Sequence, residues 1–124
     1  MKALSVKQPW ASLIASGRKR IETRRWSTDY RGPLLIVSSR NPPIEPAGVT
    51  LAIASLTDCR PMTQQDEVAA LCPRYVGAWS WVLSDITPTQ QIPVKGKLGL
   101  YDVAVDPEKI KLTNQPDASS RRTT

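Results

Sequence analysis

The chain has 124 residues, the size of one compact domain, and it is 40% hydrophobic and 23% charged, so it is expected to fold. No apolar run approaches the roughly 20 residues that span a bilayer, and the first ten residues do not look like a signal peptide. We therefore predict a cytoplasmic domain without a membrane segment. Histidine is absent, which excludes Ser-His-Asp and Cys-His catalytic arrangements and most zinc sites, and no metal or cofactor is expected.

The net charge of +6 is concentrated at one end of the chain. Residues 1–40 hold nine Lys or Arg and two acids, whereas residues 41–124 hold eight bases and nine acids. Such a concentration attracts polyanions, with nucleic acid as the leading candidate, although a solvated basic face explains the charge equally well. Cys59 and Cys72 form no CxxC motif and are expected to be reduced thiols.

Eleven prolines against six glycines favour short strands and stiff loops over long helices. A first helix opens at Pro9, places Trp10, Leu13 and Ile14 on one apolar face, and ends at Gly17. The predicted strands are, in chain order, 3–6, 19–24, 34–39, 49–57 and 79–86, with one or two more within 92–105 around a bend at Gly96 or Gly99.

A second, short helix is predicted at 64–71, with Thr63 as its N-cap and Asp66 completing a capping box. The polar tail 113–124 lacks large apolar residues and is predicted to be disordered, which leaves a domain over residues 1–112. This order of elements favours an α+β fold, a small, partly closed β-barrel of about five or six strands with one or two capping helices. A flatter α+β sheet is the alternative.

The segment SGRKRIETRRW carries most of the chemistry. Its residues Gly17, Lys19, Glu22 and Arg24 fit the pattern G-x-K-x-x-E-x-R. On one face of a strand, Arg24 can grip a phosphate while Glu22 accepts a hydrogen bond from a base amine. Alternatively, Glu22 forms an ion pair with Arg24 or Arg20 that holds the sheet edge. Strict alternation puts Lys19 on the opposite face from Glu22, so they converge only if the chain turns near Arg20.

Together with QPWASLI before it, and RGPLLI and PVKGKLGLYDV after it, this motif resembles the ASCH domain, a family named for activating signal cointegrator homology and related to PUA-like β-barrels. The resemblance runs from about Leu4 to Val105. It implies a barrel with a cleft beside the first helix, lined by the motif residues. It also implies a module that binds nucleic acid, RNA rather than DNA, or a nucleotide-like small molecule.

We predict that nucleic-acid contacts come from the motif, from aromatic side chains that stack on unpaired bases, and from nearby polar or basic side chains. The predicted contact residues are Gln8, Trp10, Lys19, Glu22, Arg24, Arg25, Trp26, Trp81, Lys95 and Lys97. Gln8 can instead cap the first helix, and Trp10 and Trp81 can instead belong to the core. Lys95 and Lys97 can instead protect a sheet edge.

Some relatives of this family are ribonucleases, and others are amidohydrolases of acylated cytidine nucleosides. If this chain is an enzyme, Lys19 and Glu22 are its candidate catalytic residues, with Arg24 stabilising a pentacovalent phosphate in the ribonuclease case. The amidohydrolases carry a hydroxyl residue where this chain has Glu22, and they use a distant carboxylate, for which Asp66 and Glu67 are the candidates here. The sequence leaves open whether catalysis occurs and which oligomeric state forms.

Overall fold

The computed structural model describes residues 1–108 and 110. Within these residues the chain forms six strands and two short α-helices. In chain order they are β1 (Lys2–Val6), α1 (Trp10–Ala15), β2 (Ile21–Arg24), β3 (Gly32–Ser38), β4 (Thr50–Pro61), a 3₁₀ turn (Gln64–Asp66), α2 (Glu67–Ala70), β5 (Trp79–Pro88) and β6 (Leu100–Asp102). The tail 113–124 lies outside the described residues, so its disorder and the boundary of a 1–112 domain stay predictions.

The described strands form one curled sheet in the order β2-β5-β4-β3-β1-β6. β1 and β3 run parallel, and the other neighbouring strands run antiparallel. The long strand β4 shifts register against β5 between Ile53 and Ser55 and again between Leu56 and Asp58, and such bulges bend a strand and increase its twist. The result is a half-barrel with two short helices, which confirms the predicted partly closed barrel.

The central strand β3 is apolar on both faces because each face covers a different core. Leu34 and Ile36 belong to the main core, where they are packed with α1 and with Trp81. Leu35 and Val37 belong to a second core on the other face, beneath the end of the described chain. Each buried aliphatic side chain contributes about 1.5–3 kcal/mol relative to exposure, so β3 anchors both layers.

The junction between α1 and β2 decides where the motif side chains point. Gly17 has φ +82° and ends α1 as predicted, since glycine adopts this left-handed conformation without strain. The backbone N–H groups of Arg18 and Lys19 both return to the carbonyl of Leu13. β2 therefore begins at Ile21, later than the predicted residue 19, and the strict alternation that separated Lys19 from Glu22 does not apply.

The segment 92–105 contains less strand than predicted. Pro93 forms an isolated bridge with Val49, and β6 is limited to residues 100–102. Gly99, with φ +68°, provides the predicted bend just before β6. Between these two points the chain runs as an irregular segment, which becomes part of a cleft wall.

Asp66 fixes the 3₁₀ turn and α2 against the sheet. Its carboxylate accepts hydrogen bonds from the backbone N–H of Thr63 at 3.0 Å, from the hydroxyl of Ser80 at 2.9 Å and from Nη2 of Arg60 at 2.7 Å. Burial by itself raises the pKa of Asp66, but the hydrogen bonds from Thr63 and Ser80 and the charge of Arg60 outweigh it and hold the pKa below its usual value. The predicted capping role of Asp66 is confirmed.

Two further features concern the cysteines and the helices. In the described part of the chain, Cys59 and Cys72 are free thiols. None of the helices there has the length and apolar character required to traverse a bilayer.

Candidate functional site

A cleft of about 1280 Å³ opens beside α1. Its walls come from the start of α1, from β2, from the loop after β3, from the segment after α2 and from the irregular segment before β6. Among the described residues, seven basic side chains and one acidic side chain line it: Lys7, Lys19, Arg24, Arg40, Arg74, Lys95, Lys97 and Glu22. Apolar side chains, including Trp10, Tyr75 and Leu98, line the same cleft, so its surface is both cationic and partly apolar.

Glu22 lies between the two motif cations. Its Oε2 accepts from Nε of Arg24 at 3.0 Å and lies 2.9 Å from Nη2 of the same guanidinium. Its Oε1 lies 3.7 Å from Nζ of Lys19, an ion-pair distance that is longer than a hydrogen bond. Nη2 of Arg24 also donates to the carbonyl of Ser5 at 2.8 Å, which fixes the guanidinium to β1. Lys19 and Glu22 therefore converge, because β2 begins only after Arg20.

Lys19 is 2% exposed, although its side chain reaches the cleft wall. Its Nζ donates to the carbonyl of Ala70 at the end of α2 and lies 5.3 Å from the centroid of the Trp10 ring. A buried ammonium needs such partners, because leaving it unpaired is costly. Lys19 thus ties α2, α1 and β2 together at the bottom of the cleft.

The structure brings together six of the predicted contact residues: Trp10, Lys19, Glu22, Arg24, Lys95 and Lys97. The interpretation of Trp10 as a core residue is wrong, since 38% of it is exposed. Trp10 is the first residue of a six-residue helix, and its ring lies against Nζ of Lys19 instead.

Two predicted contacts are contradicted. Trp81 is fully buried and donates its indole N–H to the carbonyl of Trp26 at 3.2 Å, so it has no face open to a base. Gln8 is 4% exposed; its Oε1 accepts from the N–H of Ser12 and its Nε2 donates to the carbonyl of Pro46. The amide of Gln8 therefore caps the helix and holds a loop, and it is not available to read a base edge.

Arg25 and Trp26 lie outside the cleft lining, although both are exposed. The guanidinium of Arg25 lies 5.1 Å from the centroid of the Tyr75 ring, and its Nη1 is 3.4 Å from the carbonyl of Val76. Arg25 thus braces the wall that carries Tyr75. Trp26 packs edge-on against Trp81 with their ring centroids 4.8 Å apart.

Lys7 and Arg40 line the cleft but were missed from the sequence. Lys7 directly follows β1 and Arg40 comes two residues after the end of β3, and Val6 pairs with Ser38 where those two strands end. Because β1 and β3 are parallel, the residues that leave them emerge at the same edge of the sheet. Only the parallel pairing of β1 with β3 could have identified Lys7 and Arg40 as cleft residues, and periodicity within a single strand does not reveal that pairing.

The two candidates for a distant catalytic acid do not line the cleft. Asp66 is engaged by Arg60 and Ser80 within the fold, as described above. Oε2 of Glu67 accepts from the backbone N–H of Arg74 at 2.7 Å. The carboxylate next to Lys19 is therefore that of Glu22, and the expectation that Asp66 or Glu67 completes the site is wrong.

Comparisons with known proteins agree on one kind of domain. The family model described as the ASCH domain matches residues 4–96. Over 40 residues, 32% of this chain, the sequence is 52% identical to activating signal cointegrator 1 from Homo sapiens and 50% identical to that from Mus musculus. The matched part is 7% of those relatives' length. A crystal structure of ASCH from Zymomonas mobilis shares the fold, with a TM-score of 0.66 and 16% identity over 82% of this chain and 86% of that chain.

Proposed function

Because the chain belongs to the ASCH domain family, we propose that it is a nucleic-acid-binding module that holds unpaired RNA in the cleft beside α1. The observation that carries this proposal is the composition of the cleft. Seven basic side chains and one acid, counted over the described residues, share its surface with the exposed ring of Trp10 and the half-buried ring of Tyr75. A strand of unpaired nucleotides has this same pairing of properties, anionic phosphates and flat apolar bases.

The aromatic part of the proposal concerns Trp10. Its ring is partly exposed in the cleft, and Lys19 lies against it, so a base that stacks there also lies near a fixed positive charge. Base–aromatic stacking contributes about 1–3 kcal/mol per base. Duplex nucleic acid hides its base faces, and the proposal therefore favours unpaired strands, loops and ends.

The polar part of the proposal concerns Glu22 and Arg24. Glu22 lines the cleft, and its Oε1 accepts no hydrogen bond from the described residues, which leaves this oxygen as the acceptor that the proposal assigns to an exocyclic base amine. Arg24 is held in one orientation by Glu22 and by the carbonyl of Ser5. A carboxylate beside an oriented guanidinium presents an acceptor and donors side by side, which is the pattern needed to recognise the edge of a base.

The alternative hydrolase function gains no specific support. The position that carries a hydroxyl residue in the amidohydrolase relatives is Glu22 in this chain, and the carboxylates of Asp66 and Glu67 are engaged away from the cleft. Nucleic-acid binding accounts for the charge, the aromatic exposure and the arrangement of the motif together.

The proposal is tested by fluorescence anisotropy with a short labelled single-stranded oligoribonucleotide, with DNA of the same sequence, and with the corresponding RNA duplex. We expect the single-stranded RNA to bind most tightly, with an affinity that falls steeply with salt. Trp10→Ala should weaken this binding by roughly tenfold, within the range of one lost stacking contact. Absence of binding to every one of these probes at about 50 mM salt would overturn the proposal.

Trp26→Ala provides a matched control. Trp26 is exposed to almost the same extent as Trp10, 37% against 38%, but it lies outside the cleft lining. Its substitution should leave the affinity for RNA unchanged once circular dichroism has shown that the variant is folded. Equal losses from the two substitutions would mean that the cleft is not the binding surface. The cytoplasmic location inferred from the sequence stays a prediction.

A further inference from the structure

The positive charges of the cleft fall into two groups with different partners. Lys19 and Arg24 share the single carboxylate of Glu22, and each also donates to a backbone carbonyl, so both motif cations have partners within the fold. Five other cationic side chains that line the cleft are exposed and have no hydrogen bond or ion pair with any described residue. One of them, Arg74, follows α2; the other four are Lys7, Arg40, Lys95 and Lys97, and we call these four the cationic rim. The cations without a partner in the described structure therefore lie outside the motif, on the rim and at Arg74.

The orientation of Arg40 depends on a glycine. Gly48 has φ +69°, and a Cβ atom built there would lie 2.1 Å from Nε and 2.8 Å from Cζ of Arg40. The guanidinium thus lies directly against the backbone of Gly48. The side chain of any larger residue at position 48 would occupy the same space. The glycine is in turn fixed by its N–H, which donates to the carbonyl of Ser38 at 2.8 Å, and by its carbonyl, which accepts from Val94 at 3.0 Å.

The same glycine joins Arg40 to the lysines of the rim. Val94, which donates to Gly48, is followed directly by Lys95, Gly96 and Lys97. Gly96 approaches Ser5 so closely that a Cβ atom there would lie 2.9 Å from the hydroxyl oxygen of Ser5.

Ser5 also connects the rim to the motif. Its carbonyl oxygen accepts the hydrogen bond from Arg24. Its hydroxyl, which contacts the rim segment at Gly96, lies 2.7 Å from the hydroxyl of Tyr101. The rim and the motif are therefore adjacent parts of one surface, close enough for a single ligand to touch both.

From these contacts we propose that the cationic rim is a phosphate-binding subsite, with Arg40, whose guanidinium lies against Gly48, as its bidentate donor and Lys95 and Lys97 as its point charges. A guanidinium presents two parallel donors that match two phosphate oxygens, whereas lysine acts as a point charge. The ligand is a phosphodiester of a nucleic-acid strand whose adjacent base lies against Trp10. This part rests on the proposed function above, whereas binding of phosphate to the rim does not.

The first test compares two double variants that remove the same charge. Lys95→Gln with Lys97→Gln removes two positive charges from the rim, and Arg18→Gln with Arg20→Gln removes two from exposed positions outside the cleft lining. The slope of log affinity against log salt for a single-stranded oligoribonucleotide is negative. In the rim variant it should become less steep by about 1.4, at about 0.7 per lost phosphate contact. The Arg18 and Arg20 variant should keep the wild-type slope. Equal slopes in the two variants would overturn the proposal.

The second test moves Arg40 without removing its charge. Gly48→Ala displaces the guanidinium from its seat, and Gly77→Ala is the matched control, because Gly77 has φ +81° but nothing within 4 Å of an added Cβ. Both variants carry the same kind of backbone strain, which thermal denaturation measures. We expect Gly48→Ala and Arg40→Ala to lower the affinity for the oligoribonucleotide about tenfold, as for one lost hydrogen bond to a charged group, and Gly77→Ala to leave it unchanged. Unchanged binding in Gly48→Ala and Arg40→Ala would refute the role of Arg40.

A third measurement separates this proposal from the proposed function. Inorganic pyrophosphate is titrated into the isotope-labelled protein, and amide chemical shifts are followed by NMR. Shifts should concentrate at residues 39–41, 48 and 94–98 and should be reduced in Arg40→Ala. Pyrophosphate shifts without RNA binding would retain the phosphate subsite and reject the RNA-binding function. If pyrophosphate caused no shifts and the rim variants still bound RNA as the wild type does, the RNA-binding function would be retained and the phosphate subsite rejected.

Discussion

Replacing Asp66 with asparagine should destabilise the protein and loosen the bottom of the cleft. The carboxylate accepts three hydrogen bonds, from Thr63, Ser80 and Arg60, and it is 5% exposed. An asparagine side chain keeps one acceptor oxygen, turns an NH₂ group toward a former donor and loses the charge that faces Arg60. Since hydrogen bonds to charged groups contribute about 1.5–3 kcal/mol each, we expect the free energy of unfolding to fall by about 2–4 kcal/mol.

The pH dependence gives this prediction its sharpest form. The pKa of Asp66 is lowered in the folded protein, so the stabilisation is fully present above the unfolded value of about 3.9 and is lost as the pH falls through the folded pKa. Urea denaturation of the wild type and of Asp66→Asn should therefore differ by a constant amount near neutral pH. The difference should shrink progressively below about pH 4.

The same substitution tests how the cleft is held. Asp66 anchors the turn that leads into α2, and the carbonyls of Ala69 and Ala70 at the end of α2 accept from the backbone N–H of Arg20 and from Nζ of Lys19. Amide hydrogen exchange in Asp66→Asn should accelerate at Arg20 as well as near the turn. A difference in stability that stays the same from about pH 7 to pH 3 would refute the assignment of the stabilisation to the ionised carboxylate.

Three further substitutions test the packing, the surface and the backbone. Trp81→Ala should lower the free energy of unfolding by about 3–5 kcal/mol in urea denaturation, because it empties a fully buried site, and a loss below about 1 kcal/mol would contradict that burial. Lys2→Ala removes the exposed ion pair with Asp102 and should change stability by less than about 1 kcal/mol, so a larger thermal shift would show that the pair is not merely a surface contact. Gly17→Ala should cost about 1–2 kcal/mol, since its φ of +82° is strained for any residue with a Cβ, and an unchanged melting temperature would argue against that conformation.

Much of the fold could be predicted because its signals are local. The near-continuous apolar run of β3 is typical of a strand buried on both faces, and Leu34 and Leu35 belong to different cores. Gly17 marked the end of α1, and the spacing of Thr63 and Asp66 marked the capping of the second helical segment. The resemblance to the ASCH domain, carried by the motif, agrees with the family match over residues 4–96.

The tryptophans show what local patterns cannot decide. Trp10 occupies an apolar position of its helix yet is exposed, whereas Trp81 lies in an alternating strand yet is fully buried. The difference arises because Trp10 begins a short helix at the wall of the cleft, while β5 runs between β2 and β4 in the half-barrel. Periodicity reports which residues share a face, but not which element covers that face.

The sequence by itself determined the identity of the motif, the order of the strands and helices and the excess of positive charge in the first third of the chain. Tertiary structure alone decided which of those charges are compensated and which are free. Glu22 meets Lys19 as well as Arg24 because β2 begins late. Lys7 and Arg40 line the same cleft because β1 pairs with β3 in parallel across about thirty intervening residues. Such contacts depend on long-range strand pairing, whose partners are chosen by the packing of the whole sheet and not by any local pattern.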